Sequence, residues 1–276
     1  MSTTTLRVTS APGFRVDAGA LRPSTLAGMS VADIERLVLP GGNEQCAIGD
    51  VFHVTRAATD GPDDGAALVI DGAGPWLDRL GAQMDGGRLD VSGPVGDHCG
   101  FRMTAGMLTI HGNAGHFTGC EMRGGRLTIR GDSGDFVAGA LPGDMEGMTG
   151  GTLTICGNAG ARLADRMRRG LVLVGGDAGE FAVSRLVAGT VGVAGRLGPH
   201  YAYAMRRGTL LLAQRPADLP PTFSGGGQGF DVFWSLLVRS FADEIAPFSH
   251  WRTAPLPLRL TGDLAVDGRG EILIVA

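Results

Sequence analysis

Between Met103 and Gly160 one phrase recurs three times: Met103-Thr-Ala-Gly-Met-Leu-Thr-Ile-His-Gly-Asn-Ala-Gly115, Met122-Arg-Gly-Gly-Arg-Leu-Thr-Ile-Arg-Gly-Asp-Ser-Gly134 and Met148-Thr-Gly-Gly-Thr-Leu-Thr-Ile-Cys-Gly-Asn-Ala-Gly160. No other feature constrains the fold as much, because a repeating unit buries its apolar side only by stacking on its neighbours. Weaker copies begin at Met84, Met167, Leu186 and Met205, and a degenerate first copy falls at Asp63 to Gly72, with Leu68 and Ile70 in the apolar slots. Copies start at 84, 103, 122, 148, 167, 186 and 205, a step of 19 residues except from 122 to 148, where it is 26. That repeat carries a seven-residue insertion within Val137 to Gly147.

Five and seven places after each start stand Leu89/Val91, Leu108/Ile110, Leu127/Ile129, Leu153/Ile155, Val172/Val174, Val191/Val193 and Leu210/Leu212. This alternation marks a short strand with one buried face. The start itself is a second apolar column, and fourteen places on a third reads His98, Phe117, Phe136, Arg162, Phe181 and His200, where rings are expected to stack. GNAG, GDSG and GGDAG turns separate the strands, with Gly supplying positive φ and Asn113, Asp132, Asn158 and Asp177 tolerating it. Stacking in register at about 4.8 Å per coil gives a prism roughly 35 Å long. The expected fold is all-β: a right-handed parallel β-helix of about seven to eight 19-residue coils. A left-handed hexapeptide helix is excluded by the absence of a six-residue aliphatic period, and a leucine-rich repeat by the Gly-flanked place of the Asn/Asp column.

Three parts follow: an N-terminal cap over 1–60, the Gly-rich helix over 61–214, and a C-terminal helix with an extended tail over 215–276. In the cap, Thr4 to Val8 reads as a strand, Ser30 as the N-cap of a short helix reaching Val38, and Ala47 to Val54 as a strand leading into the first coil. Phe230 to Phe241 reads as an apolar helix that caps the open end of the prism or docks on a partner.

Net charge is −4, so no general attraction to nucleic acid or a membrane surface is expected. The 24 basic residues are all arginine, a bias that fits a GC-rich genome. Cys46, Cys99, Cys120 and Cys156 show no metal-ligand spacing, and no signal peptide or long apolar run is evident, so buried free thiols in a reduced, cytoplasmic protein are expected. No HxH, HExxH, acidic metal phrase or nucleophile with a base occurs, and Ser224 to Gly229 lacks the Lys-Ser/Thr of a phosphate loop. No catalytic residue and no metal ligand is therefore assigned. Arginines do gather beside the start column: Arg102, Arg123, Arg166, Arg168, Arg169, Arg185, Arg206 and Arg207. Places one before and one after the start are expected to share a strand face. The alternatives are solvated or carboxylate-paired arginines, for instance with Asp165 and Glu121, and an anionic track or acidic partner surface gripped by paired hydrogen bonds.

The repeat resembles the Gly-rich β-helix that closes the large subunit of glutamate synthase. Gly134-Asp-Phe-Val-Ala-Gly139 with its insertion, Pro221-Thr-Phe223, Gly262-Asp-Leu-Ala265 and Gly268-Arg-Gly-Glu271 bring it closer to the C subunit family of formylmethanofuran dehydrogenases and of the bacterial formyltransferase/hydrolase complex. The resemblance implies a non-catalytic subunit of a complex that moves formyl from formyl-tetrahydromethanopterin to a methanofuran-like carrier and releases formate. It implies as partners a formyltransferase subunit, a metal-dependent amidohydrolase subunit and a B subunit akin to the molybdopterin-binding one. The carrier and the metal then belong to the complex, with no cofactor in this chain, and the carrier's glutamate chain is a candidate for the arginine edge. The C subunit of a tungsten or molybdenum formylmethanofuran dehydrogenase is the alternative; an autonomous β-helix enzyme or carbohydrate-binding protein is a second one.

Overall fold

The structure, a computed structural model, describes residues 2–58 and 65–275. The alternating apolar pairs form short strands, and these line up in a thirteen-stranded, mostly parallel sheet. From Ser2–Val8 the order runs through Ala67–Asp71, Asp85–Ser92, Ala105–Ile110, Arg126–Ile129, Thr152–Ile155, Leu171–Val174, Thr190–Val193 and Thr209–Leu212 to Gly270–Ile274, each strand parallel to the next. Phe52–Ala58 closes one edge antiparallel, and Leu258–Gly262 with Ser224–Gly225 closes the other. Pairing is in register, Leu108 on Leu127 on Leu153 on Val172, so each repeat sets its apolar pair directly over the last. The beginning of the degenerate first copy, at Asp63, lies outside the described residues, but Leu68 and Ile70 occupy the expected slots.

A second ladder of parallel bridges, Ala114 to Ser133 to Ala159 to Ala178 to Leu197, ties the turns together. Between the two ladders lies one continuous apolar core. It holds the strand pairs and the whole start column, Met84, Met103, Met122, Met148, Met167, Leu186 and Met205, with no exposed surface on any of these starts. At about 25 cal/mol per Å² of apolar area, stacking in register is what gives each short strand its stability.

At the N-terminal end the core continues into Val16, Leu21, Leu26, Ile34 and Leu39. Ser30 accepts the N–H of Asp33 at 3.2 Å and starts a helix that ends at Glu35, shorter than the expected run to Val38. The single strand expected over Ala47 to Val54 is not formed. Asp50 draws the N–H of Ala47 to 3.1 Å, a helical turn spans Ile48–Val51, and the strand begins at Phe52.

The C-terminal helix, Asp231–Arg239, does not cap an open end of the stack. Its Trp234 and Val238 pack with Phe241, Phe248 and Trp251 on Leu173, Leu211 and Leu273, which point out of the opposite sheet face. Gly192 makes this possible, since a Cβ there would lie 2.6 Å from Phe248. The end is instead extended by Gly270–Ile274, which adds a further parallel strand beyond Thr209–Leu212.

Candidate functional site

Apart from the repeat with the insertion, which has two, Phe136 and Ala138, each 19-residue repeat leaves its turn through three alternating residues with positive φ. In one repeat these are His98, Gly100 and Arg102 at 60°, 67° and 52°; in another Arg162, Ala164 and Arg166 at 58°, 55° and 58°. Non-glycine residues in this region carry about 1–2 kcal/mol of steric cost. The cost is met by stacking: Phe117 N–H donates to Asp135 of the following repeat at 2.8 Å, and Ala138 N–H donates back to Thr118 at 2.8 Å. The third of these places precedes the start column. Arg102, Arg166 and Arg185 therefore stand in a left-handed turn, not on a strand face shared with Arg123, Arg168 and Arg206.

The glycines of the GNAG turns differ from expectation as well. Gly112, Gly131, Gly157 and Gly176 do not have positive φ; a Cβ on Gly112 would meet the backbone of Gly93 at 2.6 Å, so they permit close approach of stacked turns. Positive φ falls instead on glycines at or near the start of the strands, such as Gly125 and Gly151. Asn113, Asp132, Asn158 and Asp177 form a side-chain ladder: each Oδ1 accepts the backbone N–H of its counterpart one repeat on, at 2.7–2.9 Å. A second ladder runs through Asp78, Asp97, His116 and Asp135.

The ring column forms as expected. His98, Phe117 and Phe136 stack at 4.9 Å, Phe181 and His200 do the same, and the Arg162 guanidinium fills the gap at 5.8 Å from Phe136 and 4.8 Å from Phe181. Burial holds the His98 imidazole below its ordinary pKa.

The eight arginines divide into two groups. Arg102 bonds Glu121 at 2.7 Å and lies 3.7 Å from Asp144, and the bond to Glu121 raises its pKa further. Arg166 donates to the Asp144 carbonyl, and Arg168 meets Glu146 at 2.9 Å. Asp144 and Glu146 belong to the insertion, so three arginines serve to hold it. Arg185 grips the buried Asp165 through bonds of 2.9 and 2.5 Å, and Ser184 donates to the same carboxylate at 2.7 Å. Arg123, Arg169, Arg206 and Arg207 are exposed and have no ion-pair partner among the described residues. Arg123, Arg168 and Arg206 share one register position, each N–H bonding the start residue of the preceding repeat. The Arg168–Arg169 and Arg206–Arg207 pairs thus stand two rungs, about 10 Å, apart on one edge.

The four thiols are free, and burial pushes Cys99 and Cys120 up to about 12. No helix among the described residues is long and apolar enough to cross a membrane.

No protein-family model matches the chain. Over 80 residues it is 32% identical to the C subunit of the tungsten-containing formylmethanofuran dehydrogenase 2 of Methanothermobacter wolfeii, covering 29% of each protein. Over 87 residues, 32% of this chain and 31% of the other, it is 41% identical to the C subunit of the formyltransferase/hydrolase complex of Methylorubrum extorquens. These matched stretches span less than a third of either curated relative. The structural match is far more extensive. A chain in the crystal structure of the Methylorubrum extorquens formyltransferase/hydrolase complex, solved with methylofuran, superposes with a TM-score of 0.88 and 40% identity over 99% of both chains. On that coverage, with the shorter match naming the subunit, the chain belongs to the family of formyltransferase/hydrolase complex C subunits.

Proposed function

We propose that this chain is a non-catalytic structural and interaction subunit of a formyltransferase/hydrolase complex. The complex would transfer formyl from formyl-tetrahydromethanopterin to a methanofuran-like carrier and release formate in one-carbon oxidation. The observation that carries this reading is the 40% identity over 99% of both chains to a component of such a complex. Its partners on this reading are the formyltransferase subunit, the metal-dependent amidohydrolase subunit and the B subunit, in the cytoplasm, with carrier and metal held by the complex. The shorter 32% match supports the second reading, the C subunit of a tungsten or molybdenum dehydrogenase.

The scaffold itself we read as a right-handed parallel β-helix over 61–214, with a cap over 1–60 and an outer-face helix and tail over 215–276. Support comes from the in-register parallel ladders at strand and turn, and from the right-handed preference of parallel crossovers. Of the eight arginines, Arg123, Arg169, Arg206 and Arg207 are the ones left to face an acidic partner or the carrier's glutamate chain.

A tagged pull-down from the native organism, with a formyl-carrier hydrolysis assay on the complex and on the isolated chain, tests the assignment. Recovery of formyltransferase and amidohydrolase subunits, with activity only in the complex, is the expected result. Recovery of a pterin-metal dehydrogenase selects the second reading, and turnover by the chain alone overturns both. Replacing Arg169, Arg206 and Arg207 with Ala should weaken partner or carrier binding in a salt-dependent way; unchanged binding removes these arginines from the interface.

A further inference from the structure

The ring column stops at His200. Its centroid lies 4.9 Å from Phe181 with the planes 27° apart, its only ring contact among the described residues, and the imidazole is exposed. The next place in the column, fourteen after Met205, is Leu219, an aliphatic side chain where earlier repeats carry a ring or a guanidinium. A recess of about 460 Å³ opens there, lined by His200, Tyr201, Tyr203, Asp218, Leu219 and Pro220 among others. Its volume falls in the range of small-molecule sites, and such sites combine apolar walls with a few polar groups that orient the ligand.

Two of the polar side chains here are committed. The Tyr201 hydroxyl donates to the Asp218 carbonyl at 2.6 Å, and Asp263 accepts the N–H groups of Ala204 and Ala265 at 3.0 and 2.9 Å. The Asp218 carboxylate is exposed and has no partner among the described residues, and no arginine lines the recess. Tyr203 stands with its ring edge-on to Phe181, 6.3 Å away at 88°, and is 61% exposed.

We propose that this recess binds a small planar heteroaromatic molecule, neutral or positively charged, whose ring continues the column by stacking on His200. Tyr203 flanks it, and Asp218 accepts from its donor edge or pairs with its charge. Offset stacking favours such a ring over an aliphatic ligand of equal area, and the lone carboxylate disfavours an anion.

Titration calorimetry of the full chain with tryptamine, and with indole-3-acetate as its anionic counterpart, tests the site. Saturable binding of tryptamine, several-fold tighter than that of indole-3-acetate, is expected. His200→Ala should weaken it by about three- to tenfold, His200→Phe should retain it, and Asp218→Asn should erase the preference between the two probes. Absence of tryptamine binding, or binding indifferent to His200→Ala and to a recess-filling Leu219→Trp, overturns the proposal.

Discussion

Arg126 and Glu244 meet through two parallel hydrogen bonds of 3.0 and 2.9 Å across 118 residues of chain. Arg126 projects from the outer face of its strand, and the Glu244 carboxylate is only 6% exposed. The pair fastens the helix and the aromatic segment after it to the side of the stack. Phe248, seated over Gly192, supplies the apolar half of the same contact.

Arg126→Ala leaves a buried carboxylate without its donors, a loss on the order of 1–3 kcal/mol. Arg126 itself is 40% exposed, so solvent screening puts the cost at the lower end. For a chain of this size about 2–4 °C in Tm accompanies each kcal/mol. The drop should be accompanied by a change in emission from Trp234 and Trp251. Replacing both partners with Met should recover most of it, because no unpaired charge then remains. A variant with unaltered Tm and emission would show that the apolar contacts alone hold this segment.

Two glycines at different places in the repeat, one in the turn after a strand and one at a strand's start, should respond in opposite ways. A Cβ on Gly157 would lie 2.3 Å from Asp132 Oδ1 and 2.8 Å from the Gly131 carbonyl, in the middle of the side-chain ladder. Gly86 lacks positive φ and has nothing within 4 Å. Gly157→Ala should destabilise by about 1–3 kcal/mol through overpacking, whereas Gly86→Ala should be neutral or slightly stabilising through the unfolded chain. Comparing urea midpoints of the two variants checks this, and equal midpoints would mean the turns can spread without cost.

Much of this architecture was legible because its periods are simple. Leu127 and Ile129, Met122 and Phe136 recur at constant offsets, and constant offsets become columns once repeats stack. The left-handed places were not legible, since Arg102, Phe117, Ala138 and Val183 are not residue types that signal positive φ; hydrogen bonds to both neighbouring repeats impose it. The outer-face packing did leave a trace. Leu173 and Leu211 stand where Thr109 and Thr128 stand in earlier repeats, and a strand apolar at consecutive places is buried on both faces. Glu244 gave no sign of its partner, because nothing local relates it to Arg126. The insertion's hold on Arg102, Arg166 and Arg168 was likewise a matter of where Asp144 and Glu146 fold back.

Arg162 tests whether the ring column needs rings or only planar groups. Its guanidinium lies between Phe136 and Phe181 and has no carboxylate partner among the described residues. Arg162→Ala removes two cation–π contacts, each worth roughly 0.5–1 kcal/mol at exposed sites. Arg162→Phe should preserve stability by continuing the stack at the 4.9 Å spacing seen on either side. Thermal unfolding of both variants separates the cases. A Phe variant as unstable as the Ala variant would mean that the column depends on the charge.

The ladder's last carboxylate gives a pH test. Asp177 lies below its ordinary value of 3.8, chiefly because its carboxylate accepts the Arg196 backbone N–H at 2.7 Å. A pKa lowered by folding contributes stability that is complete above the unfolded value and disappears as pH falls through the folded one. Asp177→Asn keeps the accepting oxygen, as Asn113 and Asn158 do naturally in the same column, but removes the charge. The wild-type chain should therefore exceed this variant in Tm at pH 7, and the gap should narrow as pH drops below 3.8 and close beneath the depressed value. Salt should shrink the gap at neutral pH, because the Arg196 guanidinium, 3.2 Å from the carboxylate, is mostly exposed. A gap independent of pH would assign the difference to ladder geometry rather than to charge.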